Sequence, residues 1–80
     1  MTVEILTLEN TLLSTEAKSV VVPGENGQFE LLNNHAPIIS LLNKGTIQVT
    51  DTNDKKEHIE IISGSIEMSN NKIIILAETE

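Results

Sequence analysis

Turn chemistry recurs along this chain at intervals that leave room for short strands and little else. Clusters rich in Gly, Pro, Asn, Asp and Ser fall at Glu9-Asn10, Pro23 to Gly27, Asn33 to Pro37, Asn43 to Gly45, Asp51 to Asp54, Ser63-Gly64 and Ser69 to Asn71, and each of these residue types favours a turn for its own conformational reason. Between the turns, eleven isoleucines and five valines fill most apolar positions. Their branched side chains suit a pleated sheet better than a helix. Short strands at such spacing are the pattern of a sandwich or barrel. No segment keeps apolar residues at i, i+3, i+4 and i+7 for three turns, and Pro37 interrupts the Leu-rich stretch from Leu31 to Leu42. The expected class is all-β, antiparallel, with no helix.

The predicted strands are Val3 to Leu8, Thr11 to Ser14, Ala17 to Val22, Gln28 to Leu32, Ile38 to Leu42, Thr46 to Thr50, His58 to Ile62, Ile66 to Met68 and Lys72 to Ala77. Thr46 to Thr50 alternates cleanly, which places Ile47 and Val49 inward and Thr46, Gln48 and Thr50 in water. Val20 to Val22 and Ile73 to Leu76 have no polar alternate positions, so both of their faces need cover, from a second sheet and a loop or from another protein. Asn70-Asn71 predicts a tight hairpin, because Asn tolerates the left-handed conformation. Gly24 and Gly27 are expected to supply positive backbone dihedrals for a hairpin connection, and Pro23, Gly45 and Gly64 are assigned to turns.

Eighty residues bound the chain to one folding unit with a thin core. Five lysines against twelve acidic residues leave a net charge of −7, and the chain has no Arg, Trp or Tyr. A nucleic-acid partner is therefore not expected, since a phosphate-binding face needs clustered cations and stacking surfaces. The absence of cysteine removes disulfides, thiolate nucleophiles and zinc-thiolate sites. The longest apolar run, Ile73 to Ala77, is far too short to cross a bilayer as a helix, and no basic region precedes an apolar one at the N-terminus, so neither a span nor a secretion signal is predicted.

No catalytic constellation emerges. His35 and His58 are the only histidines, and a metal site needs three or four ligands with their supporting shell. His58 reads as a solvent-facing strand residue, and His35 as a residue that fixes a loop or contacts a partner. Ser63-Gly64-Ser65 supplies one glycine where a nucleophile turn needs two. Gly24 and Gly27 lack the Gly-Lys-Ser/Thr of a phosphate loop and the three spaced glycines of a dinucleotide site. Lys55-Lys56 belongs to an alternating charge patch on a loop. No catalytic residue, metal or cofactor is assigned.

What remains is an apolar surplus around a polar corner. Phe29, Leu31 and Leu32 precede Asn33 to Pro37, and Ile38, Ile39, Leu41 and Leu42 follow it. So small a sandwich cannot bury all of these; an exposed strip of this kind normally marks a protein contact, the alternative being that these side chains cover the open ends of the sandwich. Two other readings stand beside it: a free-standing sandwich that binds a small ligand, and a structural adaptor of another assembly.

At these residues the sequence resembles a known family. Leu12-Leu13-Ser14, Glu16-Ala17, Val20 to Gly24, Gly27-Gln28-Phe29, Leu32 to Pro37, Gly45 and Ile73 to Glu78 follow the order of the N-terminal domain of the epsilon subunit of F-type ATP synthase. The specific pieces are the Val-x-Pro-Gly-x-x-Gly turn and the Asn-His-Ala-Pro corner. The resemblance implies a flattened β-sandwich of about eight to ten strands, as a non-catalytic rotor subunit in the central stalk. It implies contacts with the gamma subunit and with the polar loops of the c-ring, as a monomer within the complex, peripheral at the cytoplasmic face of the bacterial inner membrane. Gln28, Phe29, Asn34 and His35 match the family's end that faces the c-ring and gamma. Ala36, Pro37 and Ser40 match the adjoining surface that meets gamma, and Leu31, Ile38 and Ile39 complete the expected interface.

Three departures bear on this. Asn33 stands where members often carry Pro, which implies a less rigid corner. Ser63-Gly64-Ser65-Ile66-Glu67 replaces Gly-Gly-Phe-Leu/Val-Glu, losing a glycine and an aromatic. Longer relatives continue past the equivalent of Glu78 into a two-helix hairpin that can inhibit ATP hydrolysis, so these eighty residues are expected to be the sandwich domain alone, either a naturally short subunit or a domain cut at its boundary.

Overall fold

The computed structural model describes all eighty residues, as eight strands with no helix. They are β1 (Thr2–Leu6), β2 (Thr11–Gly24), β3 (Gly27–Leu32), β4 (Ile38–Leu42), β5 (Gly45–Asp51), β6 (Lys56–Ile61), β7 (Ser63–Ser69) and β8 (Lys72–Glu78). The all-β class is as expected. Two predicted strands, Thr11 to Ser14 and Ala17 to Val22, are one: β2 runs for 14 residues. Its continuity comes from a change of partner, since Thr11 to Glu16 pair with β1 while Ala17 to Gly24 pair with β5 and β3. Local propensity cannot register a strand that is held by one neighbour and then by another.

β2 is the spine on which the sheet folds over itself. Its C-terminal half lies in a first layer with β3, β5 and β6, and its N-terminal half leads through β1 to β8, β7 and β4, the second layer. A single bridge from Gly24 to Leu42 closes the ring. Every ladder is antiparallel except β1 with β8, which is parallel. The two layers bury one core, with Val20, Val22, Leu31, Ile47 and Val49 from the first facing Val3, Ile5, Ile66, Ile73 and Ile75 from the second. All ten are essentially inaccessible to water.

The Asn70-Asn71 hairpin forms as predicted, with φ of 52° and 59°, the paired left-handed values whose twist matches the flanking strands. Gly27 has a φ of 121°, but Gly24 does not have positive φ. It is the last residue of β2 and a close-approach position, where an added Cβ would lie 2.5 Å from the Phe29 ring and 2.7 Å from the Gly27 carbonyl oxygen. Pro23 lies inside β2, Gly45 opens β5 and Gly64 lies inside β7, so none of these three sits in a turn. Gly45 and Gly64 are close-approach positions: added Cβ atoms would lie 2.7 Å from Pro23 and 2.6 Å from the Leu76 carbonyl oxygen. Ile47 and Val49 point inward, as expected. Thr50, expected in water, is buried beside the irregularity that shifts the β2–β5 register between Ala17 and Ser19.

Candidate docking surface

Register assigns every strand residue to a face, because side chains alternate across the sheet and aligned partners share a side. On the outside of the first layer, Glu30, Val21, Gln48 and His58 form one cross-strand row. Its neighbours include Thr46 paired with Glu60 and Ser19 hydrogen-bonded to Glu30. The His58 ring nitrogen Nε2 lies 3.1 Å from Gln48 Oε1, the solvent-facing role expected of it. This face is polar, with Leu32 its one largely exposed aliphatic side chain.

The outside of the second layer differs. Ile39, Glu67, Ile74 and Glu4 form one row, and Leu41, Ser65, Leu76 and Leu6 the next. Ile39 is 78% exposed, Leu41 59% and Leu76 55%, with fully exposed Leu8 just beyond the end of β1. The run Ile73 to Leu76 therefore has one face in the core and the other uncovered by the chain itself. Sequence reasoning had placed Ile39 and Leu41 in the surplus. It asked for cover over both faces of Ile73 to Leu76 but did not align Ile74 and Leu76 with that surplus, and it missed Leu6 and Leu8, since only the ladder brings four strands together. The two-residue alternation within Ile73 to Leu76 was the available signal.

The expected interface residues separate by the same parity. Leu31 is fully buried and belongs to the core, so it is removed from the surface. Phe29 and Ile38 are half-buried and pack against that core. Gln28, Asn34, His35, Ala36, Pro37 and Ile39 are exposed, and Ser40 is half-buried. β3 and β4 lie in different layers, so Gln28 is not beside Ile39 along a ladder, and the corner between them is the bend that joins the layers.

That corner is held from three directions. The His35 N–H donates to the Leu32 carbonyl at 3.1 Å, closing a turn with Asn34 at φ 64°. The Asn34 N–H donates to Asn71 Oδ1 at 2.7 Å. Asn33 Oδ1 accepts from the Met1 ammonium group at 2.6 Å, which also donates to the Ala17 carbonyl at 3.0 Å and lies 3.7 Å from Glu16. Asn33, read as a loosening of the corner where relatives carry Pro, instead makes a charge-assisted bond that Pro could not. His35 Nδ1 lies 2.7 Å from the Ala36 carbonyl oxygen, a contact in which only the ring nitrogen can be the donor.

No three His, Cys, Asp or Glu side chains converge where a metal could be held, and no buried polar side-chain atom lacks a partner. The molecule is thus a two-layer sandwich with one largely polar outer face, one outer face that exposes aliphatic side chains, and a braced polar corner. The chain belongs to the ATP synthase delta/epsilon family, whose β-sandwich domain model matches residues 1–80. It is 44% identical over 78 residues to a Desulfitobacterium hafniense protein named ATP synthase epsilon chain, covering 98% of this chain and 58% of that one. It is 35% identical over 77 residues to the Chlorobaculum tepidum protein of that name, covering 96% of this chain and 88% of that one. The chain thus spans little more than half of the Desulfitobacterium relative. Among solved structures, a chain of the Euglena gracilis mitochondrial ATP synthase superposes with a TM-score of 0.87 at 17% identity, over 94% of this chain and 48% of that one. A chain of the Tetrahymena thermophila mitochondrial ATP synthase central stalk and c-ring superposes at 0.80 with 12% identity, over 98% and 63%. At those identities the likeness is one of fold.

Proposed function

We propose that this domain is a non-catalytic rotor component of a bacterial F-type ATP synthase, one that joins the gamma subunit to the c-ring at the cytoplasmic face of the inner membrane. The observation that carries this reading is the asymmetry of its two faces in a chain of this family. Apolar side chains of β4, β8 and β1, flanking Ser65 and Glu67 of β7, form a surface that a partner can desolvate, while the outside of the first layer is mostly polar, with Leu32 its one largely exposed aliphatic side chain. Burial of such a surface is the favourable term in association. Torque transfer needs a broad packed contact with buried anchors, which an aliphatic sheet face offers and scattered surface ion pairs do not. In this assignment Ile39 and Leu41 anchor gamma together with Ala36, Pro37 and Ser40. Gln28, Asn34 and His35 supply polar contacts to gamma and the c-ring loops, and Phe29 and Ile38 support them from below.

The test is substitution at exposed anchors that leave the core intact: His35→Asp and Ile39→Asp, each assayed for co-purification with gamma and for proton-driven ATP synthesis. Loss of both properties, with unchanged melting of the isolated domain, is the expected result. Wild-type assembly and coupling in the double variant would refute the placement.

A further inference from the structure

Glu67 stands in the apolar face without a partner. Its cross-strand neighbours are Ile39 on one side and Ile74 on the other. It takes part in none of the chain's ion pairs. Glu4, the next carboxylate along that row, is already satisfied by Lys72 at 3.3 Å. Beside Glu67 lies a shallow notch of about 150 Å³, bounded by Ile39, Ser65, Ile66, Glu67, Ile74 and Leu76. The notch thus has aliphatic walls and one carboxylate.

Any protein that covers this face must deal with that carboxylate. An apolar partner surface would strip its water and leave a buried charge uncompensated, which is strongly disfavoured. A side chain with a long aliphatic stem and a cationic tip meets both demands, since the stem covers apolar walls while the tip pairs with the acid. We infer that the notch receives one Lys or Arg side chain from the gamma subunit, its stem lying along Ile74 and Leu76 and its tip paired with Glu67. This pair sets the register of the contact, because a slip along the aliphatic face would leave both charges buried and unpaired. The inference rests on the reading that gamma covers this face, and the experiment below separates the two.

The full eighty-residue chain is titrated calorimetrically with the gamma subunit of its own synthase, at low and at high salt. Glu67 is exposed, so Glu67→Gln leaves the fold intact, as the melting curve of each variant verifies. Glu67→Gln is expected to weaken binding by about 30-fold or more and to flatten its salt dependence, and Glu67→Lys to weaken it further. If Ile39→Asp abolishes binding while Glu67→Gln matches wild type, the cation is refuted and the face stands. If neither variant alters binding, gamma does not use this face and both readings fall. Sedimentation supplies the remaining outcome: self-association of the wild-type chain that Glu67→Gln removes would give the notch to a second copy and overturn the inference.

Discussion

The Asn34 backbone N–H donates to Asn71 Oδ1 across 37 positions of sequence, at 2.7 Å. This bond ties the polar corner between the two layers to the β7–β8 hairpin, and the Asn71 carbonyl in turn accepts from the Thr2 N–H at 3.1 Å. Asn71 thus serves twice, through its left-handed backbone and through its side chain.

Those two roles can be separated by substitution. Asn71→Gly keeps the φ of 59° accessible and removes only the side chain, so it should cost about 1 kcal/mol, the net worth of one such bond. Asn71→Ala should cost about 1 to 2 kcal/mol more, for a Cβ forced into the left-handed region. Thermal melts of the two variants read the difference directly, and equal melting temperatures would mean that the side chain and not the backbone sets the cost.

Ile75 is fully buried between the layers. Ile75→Ala should cost about 2 to 5 kcal/mol, whereas Ile75→Val should cost about 0.5 to 1.5 kcal/mol. A domain of this size holds roughly 3 to 5 kcal/mol in all, so the alanine variant should be substantially unfolded at room temperature and the valine variant folded. Urea titration followed by far-ultraviolet circular dichroism checks both.

Gly64→Ala places a methyl group 2.6 Å from the Leu76 carbonyl oxygen. Backbone cannot rotate away as a side chain can, so the β7–β8 ladder must shift, at a cost of about 1 to 3 kcal/mol. Amide exchange in β8 should accelerate in this variant, with β5 and β6 less affected.

A partner that binds only the folded state stabilises it by mass action. With gamma present at about a hundred times its dissociation constant, the domain should gain about 2.7 kcal/mol, which for this chain length is a rise of roughly 10 to 20 °C in melting temperature. A melting temperature that does not respond to gamma would argue against the proposed partnership.

The sequence was most legible where a residue's own chemistry settles its conformation. Asn70 and Asn71 adopt the left-handed turn because Asn tolerates it, and Ile47 and Val49 turn inward because their neighbours alternate with them. Family membership was legible for a similar reason, since the Val-x-Pro-Gly-x-x-Gly segment and the Asn-His-Ala-Pro corner each lie within one short stretch. Less was legible wherever the outcome depended on a neighbour distant in sequence. Thr15 and Glu16 read as a gap between strands, yet β2 passes through them because β1 pairs with that stretch. Gly64 read as a turn residue, yet it lies within a strand against the Leu76 carbonyl.

The docking face shows the same division. From its residues alone this chain determined that it is all-β, that its isoleucines and valines suit pleated strands, and that its apolar side chains near Asn33 to Pro37 exceed what one thin sandwich can hide. Only the tertiary structure decided which of them face outward. Leu31 and Leu32 are adjacent and chemically identical, and alternation along β3 sends one into the core and the other into water. Ile39, Leu41, Leu76 and Leu6 lie on three separate strands, and no local property of any of them records that hydrogen-bond register will align them around Glu67 on one surface.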